Sequence, residues 1–246
     1  MPKTQDPGLR PLFLETCNSP VPTTMIEPIA DIQTWLAGHT LSRQIDSLVL
    51  HHSYRPSAAQ YQGEKTITAI RNYHLSKGWR DIGYHLLVGP DGAIWPGRDL
   101  NLPGAHALIH KPDMIRLLGS SGYLNQHSVG ICAIGDYEAE KPSPTLLATL
   151  KEVLFRLAQG FQIPSERLFF HRQVTATSCP GKNFDLESVR SWLKAEPASP
   201  VVEAWAADSW RWAQTKGLIL GEPTTPVDRQ ALATVLYRYD RLKTQG

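Results

Sequence analysis

The sequence contains few cysteines and no long apolar run. No stretch of about 18 consecutive apolar residues occurs, so we expect no membrane-spanning helix. The three cysteines, Cys17, Cys132 and Cys179, are an odd number at spacings that match neither a disulfide framework nor a CxxC pair. We therefore expect reduced thiols and synthesis in a reducing compartment, with a disulfide between Cys132 and Cys179 as the alternative.

Charge of one sign is also scarce. The 25 Lys and Arg residues nearly balance 23 Asp and Glu residues, for a formal net charge of +2. Since no block of basic residues interleaved with aromatics occurs, we expect no nucleic-acid partner. The first thirty residues lack the basic start and apolar middle of a signal peptide, which predicts a protein made in the cytoplasm. An apolar fraction of 41% over 246 residues suffices for one ordinary domain and a small second one.

Composition divides the chain into four segments. Residues 1–28 contain six prolines and predict an irregular arm, because proline blocks helix interiors and central strands. Residues 29–194 predict the main domain, and residues 195–202 have the composition of a linker. Residues 203–246 predict a small helical module whose tryptophans we interpret as core, with a sugar-stacking platform as the alternative. So short a module is expected to dock on a neighbour or to pair with its own copy.

Apolar patterns in the main domain predict strands interleaved with helices. Continuous apolar runs, typical of buried strands, occur at 48–52, 129–134 and 168–171. The turn sequence Pro90-Asp91-Gly92 predicts a hairpin between strands at 84–88 and 93–95. Apolar residues three and four positions apart predict helices over 66–77, 144–160 and 185–194. Together these elements predict an α/β domain built on one sheet.

Three residues that are distant in sequence form a potential ligand set for a metal ion. His51 and His171 each close an apolar run, and Cys179 follows eight positions after His171. Pro180 cannot donate a ladder hydrogen bond and Gly181 permits a tight turn, so the loop can return the thiolate to the strand of His171. Two imidazoles and one thiolate can hold Zn²⁺ with the fourth position open to water, which hydrolysis requires.

Other interpretations of these residues stay open at this point. Either histidine alone is typical of a hydrogen-bonded core residue, and Cys179 alone of a small buried apolar one. A structural zinc site would need a fourth protein ligand, for which His106 is the candidate. His52 is predicted to point to the opposite face of its strand and to have a structural role.

Five segments, taken in order, resemble a known enzyme family. They are LVLHHSYRPS, WRDIGYHLLVGPDGAIWPGRD, GAHA, NQHSVGICAIGDY and HRQVTATSCPG. In this order they resemble the zinc N-acetylmuramoyl-L-alanine amidases of phage lysins and the peptidoglycan recognition proteins, over roughly residues 45–192. The resemblance implies a mixed sheet flanked by helices, a Zn²⁺ site in a surface groove, and hydrolysis of the amide between N-acetylmuramic acid and L-alanine.

The resemblance also implies roles for single residues. The metal ligands of the family, which bind Zn²⁺, fall on His51, His171 and Cys179. Catalytic positions match Tyr84, which would orient water or donate to the developing oxyanion, and Thr177, which would supply a second hydrogen bond. Substrate-binding positions in the groove match His74, His106 and Asn125. The plainer alternatives are a strand aromatic for Tyr84, a loop hydroxyl bonded to its own backbone for Thr177, and packing or turn roles for the others.

The segment 108–123 is longer than the compact connection that the family implies. We hypothesise that it forms a wall or lid over the stem peptide of peptidoglycan, so that deleting residues 111–121 would alter the Michaelis constant or the peptide preference.

The C-terminal residues 203–246 resemble S-layer-homology-like repeats, which implies anchoring to the cell wall. An enzyme with an anchor and without a signal peptide predicts a phage endolysin that reaches the wall through holes in the host membrane. A bacterial housekeeping or recycling amidase is the first alternative. A recognition module that binds muramyl peptides without cleaving them is the second, and Cys179 argues against it because recognition-only relatives typically lose that residue.

Overall fold

A five-stranded sheet organises residues 26–194, the part of the chain that this computed structural model describes. Its strands are β1 (Ser47–His52), β2 (Leu86–Val88), β3 (Ile94–Pro96), β4 (Ser128–Ala133) and β5 (Leu168–Phe170). The order across the sheet is β3-β2-β4-β1-β5. Strand β1 pairs in parallel with β4 and β5, β2 pairs in parallel with β4, and β2 and β3 are antiparallel. The sheet is therefore mixed, as the resemblance implies.

Three predicted segments fall wholly or mostly outside the described residues. They are the proline-rich arm, of which only residues 26–28 are described, the linker at 195–202 and the helical module at 203–246. These three stay predictions. Within residues 26–194, no helix is both long and apolar enough to cross a membrane.

Helices cover both faces of the sheet. In chain order they are α1 (Ile32–Ala37), α2 (Glu64–Ser76), α3 (Pro112–Leu118), α4 (Tyr123–His127), α5 (Pro144–Phe161), α6 (His171–Val174) and α7 (Leu186–Ser191). Short 3-10 turns lie at Ala58–Gln60 and Ser165–Arg167. Side chains from α1, α5 and α7 join the core cluster on one face, and those from α2, α3, α4 and α6 join two clusters on the other. The predicted α/β class, with helices flanking a central sheet, is confirmed.

Alternation along β1 sorts its side chains between the two faces. Leu48 and Leu50 join the core beneath α5, whereas Val49 joins the cluster beneath α3 and α4. By the same alternation, His51 lies on the face of Val49 and His52 on the opposite face. His52 is buried, and its Nδ1 accepts a hydrogen bond from the amide of Tyr137 at 3.1 Å, in keeping with a structural role.

The hairpin and the long helix form close to where the sequence predicts them, although the first hairpin strand begins at Leu86 rather than at Tyr84. Leu87 and Trp95 pair across the antiparallel strands β2 and β3. Helix α5 begins after Ser143, whose hydroxyl accepts a hydrogen bond from the amide of Leu146 at 3.0 Å. It ends not at Gly160 but at Phe161, because Gln162 adopts the left-handed conformation that closes the helix.

Two further local predictions are wrong. Tyr73 is one of the apolar residues whose three- and four-residue spacing predicts a buried face for α2, but it is 59% exposed. The buried residues of that helix are Thr66, Ile67 and His74. The strand predicted over 168–171 ends at Phe170, and His171 begins α6 instead. The side chain of Gln173 accepts the amide proton of Phe170 at 2.8 Å and so turns the chain out of the sheet at this residue.

Candidate metal centre

Sheet topology brings His51 and His171 together. His51 is the fifth residue of β1, and His171 directly follows the last residue of the neighbouring parallel strand β5. The carboxyl ends of parallel strands meet at one edge of a sheet, where ligands of α/β folds bind. The two imidazole rings accordingly lie with their centroids 4.6 Å apart.

A loop returns Cys179 to the same place. The amide of Arg172 donates to the carbonyl of Cys179 at 2.8 Å, which ties the loop to the residue after His171. The guanidinium of Arg172 donates to the carbonyls of Gly181 at 2.7 Å and Phe184 at 2.9 Å. Cys179 is buried, and its sulfur accepts the amide proton of His52 at 3.3 Å. The role of Arg172 was not predicted from the sequence, although its position beside His171 was a usable signal.

The three donors suit a Zn²⁺ ion. His51 Nδ1 lies 3.6 Å from Cys179 Sγ, and one donor atom from each of His51, His171 and Cys179 lies within 4.8 Å of the others. Zn–N bonds of about 2.0 Å and Zn–S bonds of about 2.3 Å at a tetrahedral angle separate a nitrogen from a sulfur ligand by about 3.5 Å. The chemistry and the spacing of the donors therefore fit zinc.

Burial leaves all three donors uncharged until a cation joins them. It lowers the pKa of His171 to about 4 and that of His51 well below 6.5, with nearby histidines adding to both shifts. Burial raises the pKa of the Cys179 thiol to about 12, although the amide of His52 and the charge of Arg172 act in the opposite direction. Neutral imidazoles present lone pairs at pH 7, and a divalent cation favours the thiolate. The electrostatics of the site thus match its donor chemistry.

Among the described residues, the donor cluster has three members, one fewer than the four protein ligands of a closed structural zinc site. His106, the candidate fourth ligand for a structural zinc site, is not one of them. Its Nδ1 lies 3.0 Å from Nε2 of His51, on the side of that ring away from Cys179. Cys132 and Cys179 are both free thiols, so the alternative of a disulfide between them is wrong.

Tyr84 and Thr177 lie beside the donors. The Tyr84 ring centroid is 5.2 Å from that of His51, and burial raises its pKa well above 10, with the thiols of Cys132 and Cys179 adding to the shift. Thr177 is exposed, and its hydroxyl oxygen accepts the amide proton of Cys179 at 3.2 Å. Thr177 therefore makes the backbone contact that the plainer alternative describes, while its own hydroxyl proton stays available to donate.

The three predicted substrate-binding residues have different surroundings. His74 is buried, stacks on Trp79 with ring centroids 4.5 Å apart, and accepts the amide proton of Gly83 at 3.1 Å. The carboxamide oxygen of Asn125 accepts the amide protons of His106 at 2.9 Å and Ala107 at 2.8 Å. His106 is 6% exposed. Their contact with substrate stays a prediction.

The segment 108–123 packs on the chain that carries His171. Its helix α3 adds Leu118 to the core cluster of Val49 and Phe169. The amide of Lys111 donates to the carbonyl of Val174 at 3.1 Å, and its ammonium donates to the carbonyl of Arg172 at 2.6 Å. The segment is therefore tied to α6.

The sequence is similar to known proteins of one family. Residues 41–182, more than half of the chain, match the protein family described as N-acetylmuramoyl-L-alanine amidase. Peptidoglycan-recognition protein LB of Drosophila melanogaster is 35% identical over 149 residues, which cover 59% of this chain and 58% of that protein. The N-acetylmuramoyl-L-alanine amidase of Homo sapiens is 32% identical over 167 residues, which cover 63% of this chain and 26% of that protein. The chain thus spans less than two thirds of either relative.

Solved structures give the same result for the fold. Peptidoglycan recognition protein-LE, solved in complex with tracheal cytotoxin, a monomeric diaminopimelic acid-type peptidoglycan, is 28% identical with a TM-score of 0.51. That similarity covers 64% of this chain and 86% of the other. With the family match over residues 41–182, the chain belongs to the N-acetylmuramoyl-L-alanine amidase family.

Proposed function

We propose that this protein hydrolyses the amide bond between N-acetylmuramic acid and L-alanine of peptidoglycan with Zn²⁺ held by His51, His171 and Cys179. Family membership supports the class of substrate. The observation that carries the hydrolytic part is the convergence of two imidazoles and one thiol, without a fourth protein donor among residues 26–194. A bound Zn²⁺ would polarise the scissile carbonyl and lower the pKa of a water molecule toward neutrality.

Tyr84 and Thr177 supply hydrogen bonds to the reacting atoms in this proposal. Because its pKa is raised well above 10, Tyr84 stays protonated across the physiological range and can donate to a developing oxyanion. Thr177 accepts from the amide of Cys179, so its hydroxyl proton can point toward the same oxygen. Both residues flank the donors without belonging to the metal-ligand cluster.

Aromatic residues near His74 support a groove for a muramyl peptide. Tyr73 is 59% exposed and Trp79 38% exposed, and both rings contact the His74 imidazole. Exposed aromatic faces suit the apolar faces of a sugar and the stem of a peptide. The similar protein solved with a monomeric peptidoglycan supports this class of ligand.

The test combines metal analysis with product analysis. Purified protein should contain one zinc per chain and should convert defined muropeptides into a free stem peptide with an L-alanine amino terminus, as identified by mass spectrometry. A chelator should abolish turbidity loss of cell-wall suspensions, and added Zn²⁺ should restore it. Binding of muropeptides without any free stem peptide would instead indicate a non-catalytic recognition module.

We further propose that the enzyme acts on the cell wall as a phage endolysin, with residues 203–246 as a wall anchor. The resemblance of those residues to S-layer-homology-like repeats supports the anchor. A chain shortened to end at residue 195 should then bind cell walls more weakly than the full chain and still cleave soluble muropeptides. Equal wall binding by the two proteins would refute the anchor.

A further inference from the structure

The side of the His51 ring that faces away from Cys179 has a partner of its own. His51 Nδ1 faces the sulfur at 3.6 Å, so Nε2 is left to face His106, whose Nδ1 lies at 3.0 Å. The two rings meet edge to face, with their planes at 83°. His106 is 6% exposed. The His106 ring is therefore held in the interior against the second nitrogen of His51.

The hydrogen bonds around His106 have only one consistent direction when His51 is a ligand. A ligating Nδ1 carries no proton, so Nε2 of His51 carries it and donates to Nδ1 of His106. His106 then has its own proton on Nε2, which faces the Ser128 hydroxyl oxygen at 3.4 Å. The Ser128 hydroxyl donates to the carbonyl of Leu124, so its oxygen can accept. Every donor in this row meets an acceptor.

Two glycines form a slot for the His106 ring. A Cβ atom on Gly130, in the middle of β4, would lie 2.6 Å from both Cγ and Nε2 of His106. A Cβ atom on Gly104 would lie 2.7 Å from Nε2 of the same ring. Asn125 holds the loop in place by accepting the amide proton of His106 through its side chain and that of Gly104 through its carbonyl. The space for the ring thus depends on missing side chains on both sides.

We propose that His106 is a positioning residue, seated between Gly104 and Gly130, that fixes the tautomer and the ring orientation of His51 for metal binding. The inference rests on the proposed function, because it concerns a ligand of the proposed zinc. Hydrogen-bond partners of this kind make a ligating imidazole more basic and hold its ring plane. This role differs from the substrate-binding role that the resemblance implies, because it acts through His51 alone.

The experiment measures zinc affinity by competition with a chelator of known affinity. His106→Leu removes the acceptor, and its dissociation constant for zinc should rise about 10- to 100-fold, the usual effect of losing such a partner. His106→Asn can present an oxygen near the position of Nδ1 and should recover most of the affinity. Gly130→Ala removes no polar group but fills the slot, and should weaken binding in the same direction. Gly160→Ala is the control, since a Cβ there meets nothing within 4 Å.

Two further readouts separate positioning from general damage to the fold. In ¹⁵N-labelled protein, the slowly exchanging Nε2 proton of His51 should be present in the wild type and lost in His106→Leu. If Gly130 acts only through His106, adding Gly130→Ala to His106→Leu should change the zinc affinity no further. Circular dichroism verifies that each variant is folded, and should His106→Leu not fold, Gly130→Ala and His106→Asn carry the comparison.

The outcomes distinguish this inference from the function on which it rests. A wild-type protein that binds no zinc would overturn both. A wild-type protein that binds zinc, with a folded His106→Leu or Gly130→Ala variant that binds it equally tightly, would overturn only the positioning role of His106. Additive losses in the double variant would show that Gly130 acts on the fold rather than on the ring.

Discussion

The polar groups at the two ends of strands β1 and β5 differ in charge. At the carboxyl end, which we call the metal end, His51, His171 and Cys179 are held uncharged, because burial shifts the pKa of each toward its neutral form. At the amino end, which we call the ion-pair end, Asp46 and Arg167 remain charged, with Nη2 of Arg167 2.7 Å from the carboxylate. Five residue steps along the chain, about 16 Å of extended strand, separate Asp46 at the ion-pair end from His51 at the metal end.

This difference separates a functional site from a structural one on the same strands. At the ion-pair end each charge has its partner within the chain, since Asp46 also accepts hydrogen bonds from the hydroxyls of Ser47 and Tyr123. At the metal end, the three donors would make their strongest interaction with a bound cation rather than with another group of the described chain. Desolvated titratable residues grouped in this way are characteristic of functional sites. Substitutions at the two ends should therefore have opposite consequences for activity and for stability.

Cys179→Ser at the metal end should have the largest effect on activity. The substitution replaces the thiolate with a poor zinc ligand. Loss of one hydrogen-bond donor to an oxyanion lowers kcat about 10²- to 10³-fold, and loss of the zinc should lower it further. Bound zinc should fall in parallel, as measured by metal analysis, while muropeptide binding persists. Cys132→Ala, which removes the other described thiol, is the matched control and should keep one zinc per chain. Full activity in Cys179→Ser would remove the basis of the comparison.

Tyr84→Phe, also at the metal end, should have the second largest effect on activity. The variant loses one hydrogen-bond donor and keeps the ring, so kcat should fall about 10²- to 10³-fold while KM stays nearly constant. Zinc content should be unchanged, because Tyr84 is not a member of the donor cluster. A rise in KM at constant kcat would instead assign Tyr84 to binding of the ground state.

Asp46→Asn at the ion-pair end should lower the free energy of unfolding and leave kcat unchanged, in contrast to the substitutions at the metal end, which lower activity. The partly exposed pair should contribute about 1 to 2 kcal/mol, measured by urea unfolding at pH 7. Burial raises the pKa of Asp46, but hydrogen bonds from Ser47, Tyr123 and Arg167 with the Arg167 charge outweigh it, and the net pKa lies below 3.8. A depressed folded-state pKa stabilises the protein above about pH 4.

The same shift fixes the sign of the pH dependence. As the pH falls through the folded-state pKa of Asp46, the wild type loses this contribution, so its advantage over Asp46→Asn should shrink toward zero. Asp113→Asn is the control, since Asp113 and its partner Arg116 are largely exposed, and it should not change stability measurably. An advantage for the wild type that does not decline at all as the pH is lowered below 3.8 would show that the charge of Asp46 is not its source.

Local apolar patterns predicted most of the strands and helices. The parallel pairing of β1 with β5 then brings the two histidine ligands together. The apolar runs that carry His51 and His171 become neighbouring strand ends, so two residues 120 positions apart meet without any signal beyond strand polarity. The loop sequence predicted that Cys179 lies near the strand of His171. The hydrogen bonds from Arg172 that fix this loop could not be predicted, because no local sequence pattern indicates them. Residues 1–25 and 195–246 lie outside the described part of the chain, and their organisation stays a prediction.

What the sequence could not predict depends on contacts between distant residues. Nothing in the neighbourhood of His106 in sequence indicates that its Nδ1 meets His51, 55 positions away. Gly130 interrupts an otherwise apolar strand, and this was the available signal that another group approaches the backbone there. The departure of His171 from the strand depends on the side chain of Gln173, whose contact with the amide of Phe170 is invisible to apolar periodicity.

The segment 108–123 spans both ends and should show the smallest effects. Lys111 contacts the carbonyl of Arg172 at the metal end, whereas Tyr123 donates to Asp46 at the ion-pair end. If the segment forms one wall of the groove, Lys111→Ala should change KM for muropeptides a few-fold at constant kcat, while Tyr123→Phe should lower stability and leave KM unchanged. These point changes are sharper than deleting residues 111–121, because that deletion would also remove the buried Leu118 from the core. Equal KM values for Lys111→Ala and the wild type, with Gln159→Ala on the opposite face as the control, would make the segment a structural bridge between the two ends and would exclude Lys111 from the wall of the groove.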